Sequence, residues 1–191
     1  MKKLILTVAV ALGVVVSSSA QEAGQMWVGG SVGFSSTSVK DGDDYTNFKI
    51  MPEFGYVVND QIGVGINIGF EQTELDMAEL EATGKLTGFS VAPFVRYSAI
   101  KGNIGGIFID GGVGLAQYKN KDYDTKATTL EVGFRPGVSL NVADNIALTA
   151  KFGFLGYQNL NVEQGNSESK INSFGLDLDL TNCLFGVNFV F

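Results

Sequence analysis

From about residue 25 to residue 191 the chain alternates large apolar and small or polar residues with period two. The clearest run sets Ile62, Val64, Ile66, Ile68 and Phe70 against Gly63, Gly65, Asn67, Gly69 and Glu71. Successive side chains of a strand point to opposite faces, so this pattern predicts strands with one apolar and one small or polar face. Turn-forming stretches divide it into eight strands, at about 25–34, 46–58, 61–72, 85–98, 104–118, 127–140, 146–157 and 172–191. In the seventh, Ile146, Leu148, Phe152 and Phe154 are expected on the apolar face.

The character of the second face decides where the apolar one points. It is mostly Gly, Ala, Ser and Thr, whereas the wet face of a soluble sheet is usually studded with Lys and Glu. Small and polar residues suit the cramped interior of a membrane barrel whose apolar face meets lipid. The fold class expected is therefore all-β, an eight-stranded antiparallel up-and-down transmembrane barrel. By the alternation Lys49, Glu53, Glu71, Arg96, Asp110, Glu131, Arg135 and Lys151 face the lumen, as do Asp177 and Asp179. An interior only wide enough for side chains should pair these charges, so loss of Arg96 or Arg135 is expected to destabilise the barrel.

Connections alternate short and long. Those at 59–60, 99–103 and 141–145 are short, and those at 35–45, 73–84, 119–126 and 158–171 are long. Short periplasmic turns, longer outer loops and an even strand count put both termini on the periplasmic side. Tyr56, Tyr97, Phe189 and Phe191 then fall near the periplasmic rim, and Phe34, Phe48, Phe70 and Tyr118 near the outer one. All three prolines, Pro52, Pro93 and Pro136, sit in similar segments 41 and 43 residues apart, on the lipid face of even-numbered strands. Without an N–H each should mark a bulge or a missing ladder bond. In the last strand the apolar positions change parity between Leu180 and Phe185, which calls for a bulge near Thr181-Asn182-Cys183.

The amino-terminal residues read as an export signal. Met1-Lys2-Lys3 is basic, Leu4 to Val16 is apolar, and small residues lead to cleavage between Ala20 and Gln21. The organisation expected is a signal peptide over 1–20 and one barrel domain over 21–191. A net charge of −7 opposes nucleic-acid binding. The absence of histidine removes the commonest general base and metal ligand, and one cysteine builds neither a disulfide nor a thiolate zinc site. No catalytic, metal or cofactor residues are singled out. Asp41, Asp43 and Asp44, or Glu74, Asp76, Glu79 and Glu81, lack the spacing of a calcium loop and read as solvated outer loops.

The carboxyl end, Gly186-Val187-Asn188-Phe189-Val190-Phe191, resembles the terminal assembly signal of outer-membrane barrels, carried here by Gly186, Phe189 and Phe191. Leu184 stands where that signal usually has a polar residue. With the export signal and the proline segments, the chain is similar to small barrels of the OmpA/OmpX-like superfamily, and most of all to single-domain barrels of Bacteroidetes-type bacteria. That resemblance implies passage with periplasmic chaperones, insertion by the barrel-assembly machinery and residence in outer-membrane lipid. The role expected is structural or surface-interacting and non-catalytic, with a plugged polar lumen and four acidic outer loops whose extracellular partner the sequence does not name. A narrow OmpW-like conduit for small or hydrophobic molecules is the alternative.

Overall fold

The computed structural model describes residues 23–37, 45–77, 82–120, 125–164, 167–177 and 183–191. The export signal, its cleavage site at Ala20–Gln21, Asp179 and the carboxylates of 41–44 and 79–81 lie outside these residues, as do the side chains of Phe34, Glu74, Asp76 and Asp177. Six strands run unbroken: β1 (Met26–Thr37), β2 (Tyr45–Val57), β3 (Ile62–Met77), β4 (Ala82–Lys101), β5 (Gly105–Asn120) and β6 (Thr125–Ala143). The seventh crossing has two pieces, β7 (Ile146–Lys151) and β8 (Phe154–Gln164), and the eighth has β9 (Ser167–Asp177) and β10 (Leu184–Val190). Each crossing pairs antiparallel with its neighbours, and β10 closes on β1 from Trp27↔Val190 to Val32↔Phe185. The result is a closed eight-stranded antiparallel barrel.

The register fixes its dimensions. Pairing leads from Trp27 through Gly55, Gly65, Phe94 and Gly112 to Gly133. Eight residues further along β6, Asn141 leads through Ala147 and Asn188 to Gly29, two beyond the start. A stagger of about ten residues over eight strands, at about 3.3 Å per residue and about 4.8 Å between strands, tilts the strands by roughly 40° and gives a backbone radius of about 8 Å. Such an interior holds side chains and little else.

Apolar side chains face outward. Phe89, Leu115 and Phe134 are each 56 % exposed, and Val32, Phe54, Val95, Ile107 and Val187 also lie on the surface. The buried set is short and mixed, with Trp27, Phe94 and Phe108 beside Glu53, Arg96, Asp110 and Lys151. This inverts a soluble protein, because lipid solvates the outside and the lumen must satisfy every polar group internally.

The prolines interrupt the ladder on one side each. Pairing skips Pro52 on the β3 side and Pro93 on the β5 side. Pro136 lies where β6 exchanges β8 for β7, with its carbonyl accepting from the Phe152 N–H at 3.1 Å. There the seventh crossing changes parity: Gly153 takes the left-handed region (φ 67°), and β8 restarts with its faces exchanged. Phe154 therefore turns inward, under the Arg135 guanidinium at 4.8 Å, instead of facing lipid as the alternation predicts. Leu155 and Tyr157 take the outward positions. The eighth crossing changes parity too, with Phe174 and Leu176 outward in β9 and Phe185 and Val187 outward in β10. The expected bulge at Thr181–Asn182 lies outside the described residues.

One end carries the tight turns at 58–61, 102–104 and 144–145. Asn59 caps the first, its Oδ1 accepting the N–H groups of Gln61 and Ile62 at 2.9 Å each. Met26 and Phe191 exchange backbone bonds of 2.8 and 2.9 Å at the same end. At the other end the strands outrun the expected loops, since pairing persists to Met77↔Ala82, Asn120↔Thr125 and Gln164↔Ser167. Hairpin ladders need no lipid, so the change from apolar to polar outward residues ends the membrane span without ending the strand.

Candidate functional site: the charged layer in the lumen

Glycines make room for this layer. A Cβ at Gly55 would overlap the Trp27 ring, one at Gly65 the Phe94 ring, and one at Gly137 the Phe108 ring. The glycine face of one strand thus seats the aromatic of a neighbour, and three rings crowd into a barrel of small radius. They surround Arg96, whose Cζ lies 5.2 Å from the centroids of Trp27 and Phe94 and 4.2 Å from that of Phe108.

Four charges from four crossings meet at this level. Arg96 Nε donates to Asp110 Oδ1 at 2.7 Å, and its Nη2 to Asp110 Oδ2 at 2.8 Å and Glu53 Oε1 at 3.0 Å. Lys151 Nζ donates to Glu53 Oε2 at 2.5 Å and lies 3.0 Å from Asp110 Oδ2. The Trp27 indole N–H and the Asn188 amide complete the shell of Glu53 Oε1, at 2.7 and 3.3 Å. All six residues are buried, and two cations balance two carboxylates. Pairs taken out of water are retained only with such complete hydrogen bonding.

Toward the long-hairpin end stands a looser tier. Lys49 lies 3.4 Å from Glu71, which also accepts from the Tyr118 hydroxyl at 2.9 Å. Arg135 Nη2 reaches Glu131 Oε1 and Oε2 at 3.0 and 2.9 Å, and Gln158 contacts the same carboxylate at 3.5 Å. These ion pairs are partly exposed. Of the eight lumen charges, then, Glu53, Arg96, Asp110 and Lys151 form one cluster, and the other four form two separate pairs. Tyr118 belongs to this tier and not to the outer girdle, because its alternation places it inward over Gly88. Phe48, Phe70, Tyr56, Tyr97 and Phe191 do lie exposed on the outer wall, and Phe189 is half-buried.

Two chambers flank the buried cluster. One of about 470 Å³ opens at the short-turn end, lined by Ser98, Ser139, Asn141, Thr149 and Asn188 with Arg96 at its inner limit. The other, about 240 Å³, lies on the far side, bounded by Asp110, Lys151, Asn67, Glu71 and Glu131. Trp27, Asn188 and Tyr118 are functional neighbours that the charge pattern alone does not single out. Their signal is positional, since each occupies an inward place in the alternation. Among the described residues no group of three or more His, Cys, Asp or Glu side chains is placed to hold a metal ion.

An inside-out barrel with a charged interior defines a class, the integral outer-membrane barrels, and the sequence comparison agrees. Residues 6–191 match the family described as Outer membrane protein beta-barrel domain, and the chain belongs to it. Membership places the protein in the outer membrane, where barrels of this kind generally turn their short connections to the periplasm. The fold is similar to that of the Neisserial surface protein A, at 18 % identity and a TM-score of 0.50 over 87 % of this chain and 98 % of that one. It is also similar to the outer membrane protein OprG of Pseudomonas aeruginosa, at 14 % identity and a TM-score of 0.51 over 90 % and 98 %. No curated protein sequence matches it.

In β10, Phe185 is exposed, Phe189 pairs with Val28 of β1 at the closing seam, and Phe191 is exposed at the rim. Changing Phe189 and Phe191 together to Ala should lower the yield of inserted barrel in cells more than changing Phe89 and Phe134, although the latter two are the more exposed on the lipid face. Heat-modifiable mobility of the membrane fraction on gels measures this. Equal losses from both double variants would reduce the terminal aromatics to ordinary lipid contacts.

Proposed function

We propose that the protein is a non-catalytic structural or surface-interaction barrel, its lumen plugged by side chains and its acidic outer loops presented to the exterior. The observation that carries this reading is the buried cluster of Glu53, Arg96, Asp110 and Lys151, packed in Trp27, Phe94 and Phe108. A solute crossing the lumen would have to separate buried charges that meet within about 3 Å, each costly to leave unpaired. The lack of histidine supports the non-catalytic part. Residues Gly186, Phe189 and Phe191 act as the assembly signal read by the barrel-assembly machinery, after export directed by residues 1–20 and escort by periplasmic chaperones.

The two chambers favour a second reading, a narrow conduit, because only one layer of side chains divides them. Swelling of proteoliposomes in isosmotic glycerol, glycine or arabinose separates the two. The plugged reading expects rates equal to protein-free vesicles for all three solutes. Size-dependent swelling above that background would establish the conduit instead.

A further inference from the structure

Six outward positions step from apolar to uncharged polar at one level of the wall. Two residues outward from Phe70, Phe89, Leu115, Leu130, Tyr157 and Phe174 come Gln72, Thr87, Gln117, Thr128, Asn159 and Asn172. None of these six is charged, in a chain whose net charge is −7. The apolar belt below them ends where hydrocarbon ends, so this ring of amides and hydroxyls stands at headgroup height.

One alternation further out, β5 and β6 present Lys119 and Lys126. They are directly paired in the ladder, both exposed, and among the described residues neither forms an ion pair. Like charges placed opposite one another cost stability, with Cβ atoms only about 5 Å apart. Glu163 stands across from Lys126 in β8 without forming a salt bridge to it. By contrast Lys170 on β9 is held by Glu168 at 3.0 Å. Thr87 pairs with Lys119, and Gln117 with Thr128, so two ammonium groups sit above a patch of hydrogen-bonding side chains.

We infer that the outer wall of β4–β6 binds the phosphorylated sugar headgroup of an outer-leaflet glycolipid, with Lys119 and Lys126 bracketing a phosphate and Thr87, Gln117 and Thr128 contacting the sugar. Charge complementarity and height choose this occupant. The acyl chains of a lipid lie against Phe89 and Leu115, which puts its headgroup level with the amide ring and its phosphate level with the lysines.

The experiment uses the folded barrel in nanodiscs of zwitterionic phospholipid doped with a bisphosphorylated diglucosamine glycolipid or its dephosphorylated form. Retention is read by native mass spectrometry after release from the disc. Wild type should retain the phosphorylated glycolipid, and Lys119→Gln/Lys126→Gln should lose about thirtyfold of that preference, at about fivefold per lysine. Gel mobility of the unheated variant shows that it still folds. Equal retention by wild type and the double variant, or equal retention of both glycolipid forms by wild type, would overturn the inference. So would complete displacement by an equimolar amount of inorganic phosphate, which would assign the lysines to a free anion.

Discussion

Replacing Arg96 with Ala should destabilise the barrel by about 3–5 kcal/mol, the cost of leaving a buried charge uncompensated. Arg96 is 4 % exposed and binds both Glu53 and Asp110, so its loss leaves two carboxylates sharing Lys151. Three aromatic rings also lose the guanidinium they enclose. Arg135 is a different case, although its place in the alternation is the same. Its side chain is 32 % exposed and it has one carboxylate partner, so Arg135→Ala should cost no more than about 1 kcal/mol. Equilibrium unfolding of both variants by urea or guanidinium in the same lipid measures the contrast. Equal losses would mean that the two arginines sit in equivalent surroundings and that the buried cluster has no special weight.

A single methyl group at Gly55 should cost almost as much. In Gly55→Ala the new Cβ overlaps the Trp27 ring, whose outer edge also lies close against Gly63 and whose indole N–H is held by Glu53. The ring must leave its seat, and with strain and a broken buried hydrogen bond the loss is about 3 kcal/mol. Gly175 provides the internal control, because an added Cβ there meets open space within 4 Å, and Gly175→Ala should change stability by less than about 0.5 kcal/mol. Tryptophan fluorescence reports the same event, since Trp27 is the chain's only tryptophan. An unshifted emission maximum and unchanged stability in Gly55→Ala would show that the ring is not held by this glycine seat.

Much of the barrel is legible in the sequence because a strand's faces follow directly from period two. The alternation around Ile62–Phe70 carries the strand, its lipid face and its glycine face together. The prolines also read correctly, since a missing N–H interrupts a ladder wherever it occurs. Parity fails at Phe152–Gly153, where one left-handed residue exchanges the faces and sends Phe154 inward; composition gives no count of bulge residues. Tyr118 misleads for a related reason. An aromatic near a strand end reads as girdle, but its place in the alternation over Gly88 is an interior one.

The inward charges are readable as a set, and their grouping is not. Which of them meet depends on the stagger around the barrel, and that is a property of the closed sheet. A stagger of about ten residues brings Glu53, Arg96, Asp110 and Lys151 to one level, from β2, β4, β5 and β7. The same stagger delivers Asn188 from the last crossing to Glu53. The strand ends at the long-hairpin side are likewise invisible to a hydropathy reading, because pairing outlasts the apolar positions that announce it.

Single-channel recording in planar bilayers tests the central claim, that side chains seal the lumen at Arg96. Wild-type barrels should give no current, or small and flickering events, and Arg96→Ala in the same lipid should give larger and longer openings, since it removes the larger of the two cations that join Glu53 to Asp110 and leaves only Lys151 between them. A stable, large conductance from the wild-type protein, unaltered in Arg96→Ala, would contradict the seal and make the lumen an open path.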